Sequence, residues 1–63
     1  MIVGLSEVLH FELEGKNERA YKVEDFDAND IKIFVGKYDG HEVYEVKDIQ
    51  KYDNFKYIAL FVG

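Results

Sequence analysis

Asp39-Gly40 lies between two runs of alternating apolar residues within the segment Ile31 to Val46. An Asp-Gly pair in that setting is among the strongest short-range hairpin signals. A type I′ turn holds both central residues at positive φ, which Asp and Gly tolerate best. A two-residue loop also fixes the register. Tyr38 then faces His41, Val35 faces Tyr44 and Ile33 faces Val46. This register puts Ile31, Ile33, Val35, Tyr44 and Val46 on one face. Lys32, Phe34, Val43, Glu45 and Lys47 fall on the other. Turn chemistry and binary pattern agree, and such agreement marks a sequence that specifies one structure.

The rest of the chain reads as strands of the same kind. Val3, Leu5, Leu9, Phe11 and Leu13 share one parity; Ser6, His10, Glu12 and Glu14 share the other, with Ile2 and Val8. This period of two predicts a long first strand with one mostly polar face. Glu7 interrupts the apolar parity, as a bulge, a bend or a break between two strands. A short helix over Leu5 to Leu9 is the competing reading. Gly15-Lys16-Asn17 signals a turn, and Ala20 to Phe26 a second strand antiparallel to the first. Asp27 to Asp30 is a polar loop. Asp48 is placed to cap a single helical turn near residues 48–53, with Ile49 and Tyr52 directed at the core. Phe55 to Val62 is apolar on both faces, so it is either central, or placed where a sheet closes on itself or meets a partner.

These elements predict an all-β fold: a small five-stranded antiparallel sheet curled into a barrel, with one short helical turn near residues 48–53. The alternative is an α+β fold with one short helix on an antiparallel sheet. The strand order, with a helical turn before the last strand, is similar to an SH3-like barrel. The acidic loop and Trp doublet of a peptide-binding SH3 domain are absent, and the chain has no Trp.

With 63 residues the chain holds one domain, 1–63. A domain of this size buries only about 60% of its unfolded surface, and small cores rarely supply more than about 3–5 kcal/mol unaided. There is no Cys to form a disulfide or a thiolate metal site. The compensating device is a dense apolar set that includes five Phe and five Tyr, each bringing a large apolar area. The lack of Cys fits a reducing cytoplasm. No basic residue precedes the apolar Met1 to Leu5, so no signal peptide is predicted, and no run is long enough to span a membrane. An initial Met and the lack of tag-like ends give the expectation of a complete gene product.

The formal charge of −5 is unevenly placed. Residues 1–31 hold eight acids and three bases, whereas residues 32–63 hold five of each. Glu12, Glu14 and Glu24 are expected on one exposed face, which would attract basic partners and repel nucleic acid. The function expected is therefore a non-enzymatic acidic protein-binding module. It would be a phage- or plasmid-type inhibitor that occupies a basic or nucleic-acid-binding surface of a partner, mimicking the phosphates of DNA. Ordinary solubilising charge is the plain alternative. Phe34 and Val43 form a second expected contact, an apolar pair on the outer face of the hairpin.

Other chemistries are weakly supported. Asp25, Asp27 and Asn29 place oxygens at alternate positions, as a calcium loop begins. Asp30 then stands where Gly is needed and Gly36 where a bidentate Glu is needed, and the same residues suit a turn that bonds its own backbone. Ser6 and His10 would lie about 13 Å apart along a strand, too far to form a nucleophile and base. His10 and His41 are read as exposed surface groups, and no cofactor motif is found. Two further functions remain in view. One is a small barrel binding single-stranded nucleic acid through Phe34, Lys32 and Lys47, opposed by Glu45 and by a pI of 4.8. The other is a structural homo-oligomer, a homodimer included, built through the last strand.

Overall fold

Two pairs of residues at positive φ set the local structure: Glu14 (52°) with Gly15 (81°), and Asp39 (52°) with Gly40 (77°). Each is the centre of a two-residue hairpin. In the computed structural model, which describes residues 8–62, they join β1 (Val8–Leu13) to β2 (Lys16–Val23) and β3 (Ile31–Tyr38) to β4 (His41–Val46). The first turn lies at Glu14-Gly15, one residue earlier than the Gly15-Lys16-Asn17 signal suggested. β2 accordingly starts and ends earlier than the predicted Ala20 to Phe26. The part of the predicted first strand before Val8, and most of the competing helix, lie outside the described residues. Val8 and Leu9 themselves are strand.

β5 (Tyr57–Phe61) completes a single sheet of order β1-β2-β5-β4-β3. The last strand is therefore the central one, the first of the placements its two apolar faces allowed. Tyr57, Ile58 and Ala59 are all buried. β5 runs antiparallel to β4 but parallel to β2, which corrects the expectation of a wholly antiparallel sheet. The reason is connectivity. A parallel pair needs a crossover, and the chain supplies one by leaving β2, building the whole β3–β4 hairpin, and returning to slot β5 between the two hairpins.

Each connection carries a 3-10 turn. In the first, Ala28–Asp30, the Asp27 carboxylate accepts from the Asn29 N–H at 2.9 Å. In the second, Ile49–Tyr52, Asp48 accepts from the Gln50 N–H at 3.1 Å. Asp48 thus has the capping role its position predicted, and no longer helix forms among the described residues. Asp53, left-handed at φ 58°, ends that turn and returns its N–H to the Ile49 carbonyl. Tyr52 is buried as expected, but Ile49 is 43% exposed. The turn rests on the sheet through Tyr52, the one buried residue of Ile49–Tyr52.

The core lies on both sides of the sheet. One face packs Leu9, Phe11, Ala20, Val43, Tyr57 and Ala59, with Leu13, Val35 and Tyr38 against them; we call it the Phe11 face. The other packs Val46, Tyr52 and Ile58, with Tyr21, Val23, Phe26, Ile31 and Tyr44; we call it the Tyr52 face. The Phe11 and Tyr38 rings come from the two edge strands, β1 and β3, yet their centroids lie 4.8 Å apart. The sheet is therefore strongly curled. It is not closed, because β1 and β3 do not pair, so the barrel expected from sequence stops at side-chain contact between its edges.

The hairpin register holds near the turn and then departs from the prediction. Tyr38 faces His41 as expected, but Phe34 faces Tyr44, Ile33 faces Glu45 and Ile31 faces Val46. Register shifts fall between Ile31 and Ile33 and between Phe34 and Gly36. Each inserts one extra residue on β3, and a β-bulge of this kind re-aims every side chain beyond it.

Candidate functional site

The bulge between Phe34 and Gly36 decides the fate of the expected apolar pair. It carries Phe34 to the Tyr52 face, where its ring meets Tyr44 at 5.2 Å and stays 56% exposed. Val43 points to the Phe11 face and is fully buried. Phe34 and Val43 are thus on opposite sides of the sheet and form no surface pair. Nothing in the sequence pattern marks the bulge except Gly36, where a Cβ would come within 3.0 Å of the Tyr38 ring.

Glu12, Glu14 and Glu24 are all exposed. They do not form one cluster. Glu12 lies opposite Asn17 beside the first turn, and Glu14 is in that turn. Glu24 follows the far end of β2, about 23 Å away at roughly 3.3 Å per residue. Glu12, through Asn17, shares the parity of Tyr21 and Val23 on the Tyr52 face, whereas Glu24 follows Val23 with the opposite parity, so strand alternation does not bring the three onto the single exposed face expected. Beside the first turn, His10, Phe11, Glu12 and Asn17 line a surface hollow of about 360 Å³. The hairpin's arginine does not neutralise these carboxylates: the Arg19 guanidinium sits 5.5 Å over the Phe55 ring, which in turn stacks on Tyr21. Among the described residues the ion pairs are Lys32 with Glu45 and Lys51 with Asp30, and neither involves Glu12, Glu14 or Glu24.

The structure adds no support to the calcium candidate Asp25, Asp27 and Asn29. Asp27 is committed to the Asn29 N–H, and no group of three or more acid, His or Cys side chains is placed to hold a metal ion among the described residues. His10 is exposed, as read from sequence. His41 is not: it is 8% exposed, its Nδ1 lies 2.8 Å from the Asp39 carbonyl, and its ring meets Phe61 edge-on. A carbonyl only accepts, so Nδ1 carries the proton and donates. Position after an I′ turn, on the buried parity of a hairpin, was the signal for this burial.

Asp30 is the residue that sequence reasoning undervalued. Its Oδ2 receives Lys51 Nζ at 2.6 Å and the Tyr52 hydroxyl at 3.0 Å, and its carbonyl accepts from the Lys47 N–H at 2.8 Å. It therefore ties the two crossover segments together. The Lys51 bond first, and then the Tyr52 bond, hold the Asp30 carboxyl below its ordinary value of 3.8. A lowered carboxylate stabilises the fold above its unfolded value, and that contribution disappears as pH falls through the lower folded value. Urea titrations across acid pH are expected to show stability falling below about pH 3.8, with a shallower fall in Asp30→Asn. Equal slopes in the two proteins would show that the latch contributes nothing to the acid limb. The same bond holds the Lys51 ammonium above its usual value, so titration of Lys51 removes the bond on the alkaline side, as titration of Asp30 does in acid.

No family model, curated protein or solved structure matches this chain. No helix of the described residues is long and apolar enough to cross a membrane.

Proposed function

We propose that this chain is a non-enzymatic protein-binding module that engages a basic surface of a partner through the carboxylates of the β1–β2 hairpin. One observation carries the reading: Glu12, Glu14 and Glu24 are exposed and have no ion-pair partner among the described residues, while Arg19 of the same hairpin lies over the Phe55 ring. Unneutralised carboxylates at a surface attract cations over a Debye length, about 8 Å at physiological salt. In the inhibitor form of the proposal, these carboxylates compete with the phosphates of DNA for a nucleic-acid-binding protein.

The test uses immobilised protein and DNA-binding proteins eluted from a DNA column. Capture that duplex DNA displaces is the expected result. Glu12→Lys combined with Glu14→Lys is expected to slow association on the order of tenfold at low salt, an electrostatic steering effect, with the far-ultraviolet spectrum unchanged. Capture unaffected by the double reversal would remove the proposal. Binding of single-stranded nucleic acid draws less support from the geometry. Phe34 offers an exposed ring, but Lys32 is paired with Glu45 and Lys37 lies across from Glu42. A homo-oligomer built through the last strand is also disfavoured, since β5 is flanked on both sides within one chain.

A further inference from the structure

The open edge of β3 has an unusual order of side chains. Ile31 packs on the Tyr52 face. Lys32 reaches Glu45, and Ile33 faces Glu45, whose neighbour on β5 is Tyr57 of the Phe11 face. Phe34 stands over Tyr44 on the Tyr52 face. Val35 packs on the Phe11 face, and Gly36 pairs with Val43 of that face. Lys37 faces Glu42, which pairs with Leu60 on the Tyr52 side. A regular strand alternates its faces every residue. Between Ile31 and Lys37 the two bulges give β3 a repeat of three instead, and the order reads the same in both directions from Phe34.

That symmetry selects a partner. A regular strand laid along this edge would bring side chains of opposite faces together within a few residues. This is how bulges and edge lysines ordinarily block pairing. A second β3, antiparallel and related by a two-fold axis through Phe34 perpendicular to the sheet, matches at every position. Phe34 then meets Phe34, Ile33 meets Val35 and Ile31 meets Lys37 of the other copy. The charges do not oppose it: each Lys32 faces Gly36 and each Lys37 faces Ile31, so no lysine opposes a lysine. The surface so covered includes Ile33 and Phe34, 52% and 56% exposed in one chain. We infer that the chain forms an isologous dimer through antiparallel β3 edges, making one sheet of two copies with the acidic hairpins at its outer ends. Such an interface is self-complementary by construction.

The absence of Cys from the chain makes the register directly testable. Residues opposed in an antiparallel ladder have Cα atoms about 4.5–5.5 Å apart, within disulfide reach. Mixing Ile31→Cys protein with Lys37→Cys protein is expected to give a cross-linked heterodimer under mild oxidation. Neither alone should cross-link at a similar rate, because self-opposed copies of either position stand about 20 Å apart at roughly 3.3 Å per residue. Phe34→Cys is expected to cross-link to itself. Light scattering of the unmodified protein should give twice the chain mass at micromolar to millimolar concentration, and Phe34→Lys should give a single-chain mass with the fold retained. A single-chain mass for the unmodified protein throughout, a dimer indifferent to Phe34→Lys, or cross-links at positions on β1 instead would each overturn the inference. Partner capture by the hairpin carboxylates is read separately, so loss of the dimer leaves that measurement intact.

Discussion

Ile58→Ala is expected to leave the protein largely unfolded at room temperature. Ile58 lies in the central strand, is fully buried, and is one of the two largest side chains with no exposure. It is the only buried β5 residue on the Tyr52 face, where Val46 and Tyr52 close over it. Truncating a buried Ile to Ala costs about 2–5 kcal/mol, because the cavity relaxes only in part. A core of this size supplies about 3–5 kcal/mol in total. The loss therefore matches the whole reserve. Gln50→Ala, at an exposed position, is the contrast: surface changes usually stay within about 0.5 kcal/mol. Urea unfolding followed by circular dichroism measures both. A cooperative native transition retained by Ile58→Ala, with its midpoint close to that of the unmodified protein, would show that the Tyr52 face is not a real core.

The parts of this fold legible in the sequence are those set by local chemistry. Asp39-Gly40 specified its turn outright, because only that backbone geometry matches the twist of a two-residue hairpin. Asp48 specified a cap, since a carboxylate two residues before a free N–H has an obvious partner. The two-sided apolar pattern of Phe55 to Val62 restricted the last strand to the centre of a sheet, a closure or a partner contact, and the structure takes the first of these. What was not legible depends on sums over the chain. The parallel pairing of β2 with β5 follows from where the second hairpin is laid down, which no local residue encodes. The bulges on β3 come from fitting an edge strand to a curled sheet, and Gly36 alone hints at one of them.

The candidate site was legible to a similar degree and for similar reasons. Exposure of Glu12, Glu14 and Glu24 follows from parity and turn position. Their separation along the hairpin follows from strand length and needed the true ends of β2. Phe34 and Val43 were paired by a register that was right at Tyr38 and wrong by one residue at Tyr44. A one-residue slip moves a side chain to the other face, so a surface contact became one exposed ring and one core residue. Asp30 was read only as a failed calcium position. Its role joins residues 21 and 22 positions apart in sequence, a separation that no motif spans.

Phe11→Ala is expected to have an effect as large as Ile58→Ala but to act on the edges of the sheet. β1 is held by one ladder, with β2, and by the Phe11 face. On that face Phe11 is 7% exposed, 4.8 Å from the Tyr38 ring and 5.4 Å, edge-on, from Tyr57. Truncating a buried Phe costs about 3–5 kcal/mol, and each aromatic pair adds about 0.5–1.5 kcal/mol beyond area. The Phe11–Tyr38 contact also does what hydrogen bonds do in a closed barrel, since it alone among the ring pairs joins β1 to β3. A volume-conserving Phe11→Leu should therefore fold and yet loosen the curl. Amide exchange is the discriminating measurement. In Phe11→Leu the amides of β1 are expected to lose protection before those of β5, because local opening begins where buried contacts are fewest. A double-mutant cycle of Phe11→Leu with Tyr38→Leu is expected to give a coupling of about 0.5–1.5 kcal/mol. Zero coupling, with β1 and β5 losing protection together, would mean that the edges are held by the sheet's own twist and not by the rings that meet across them.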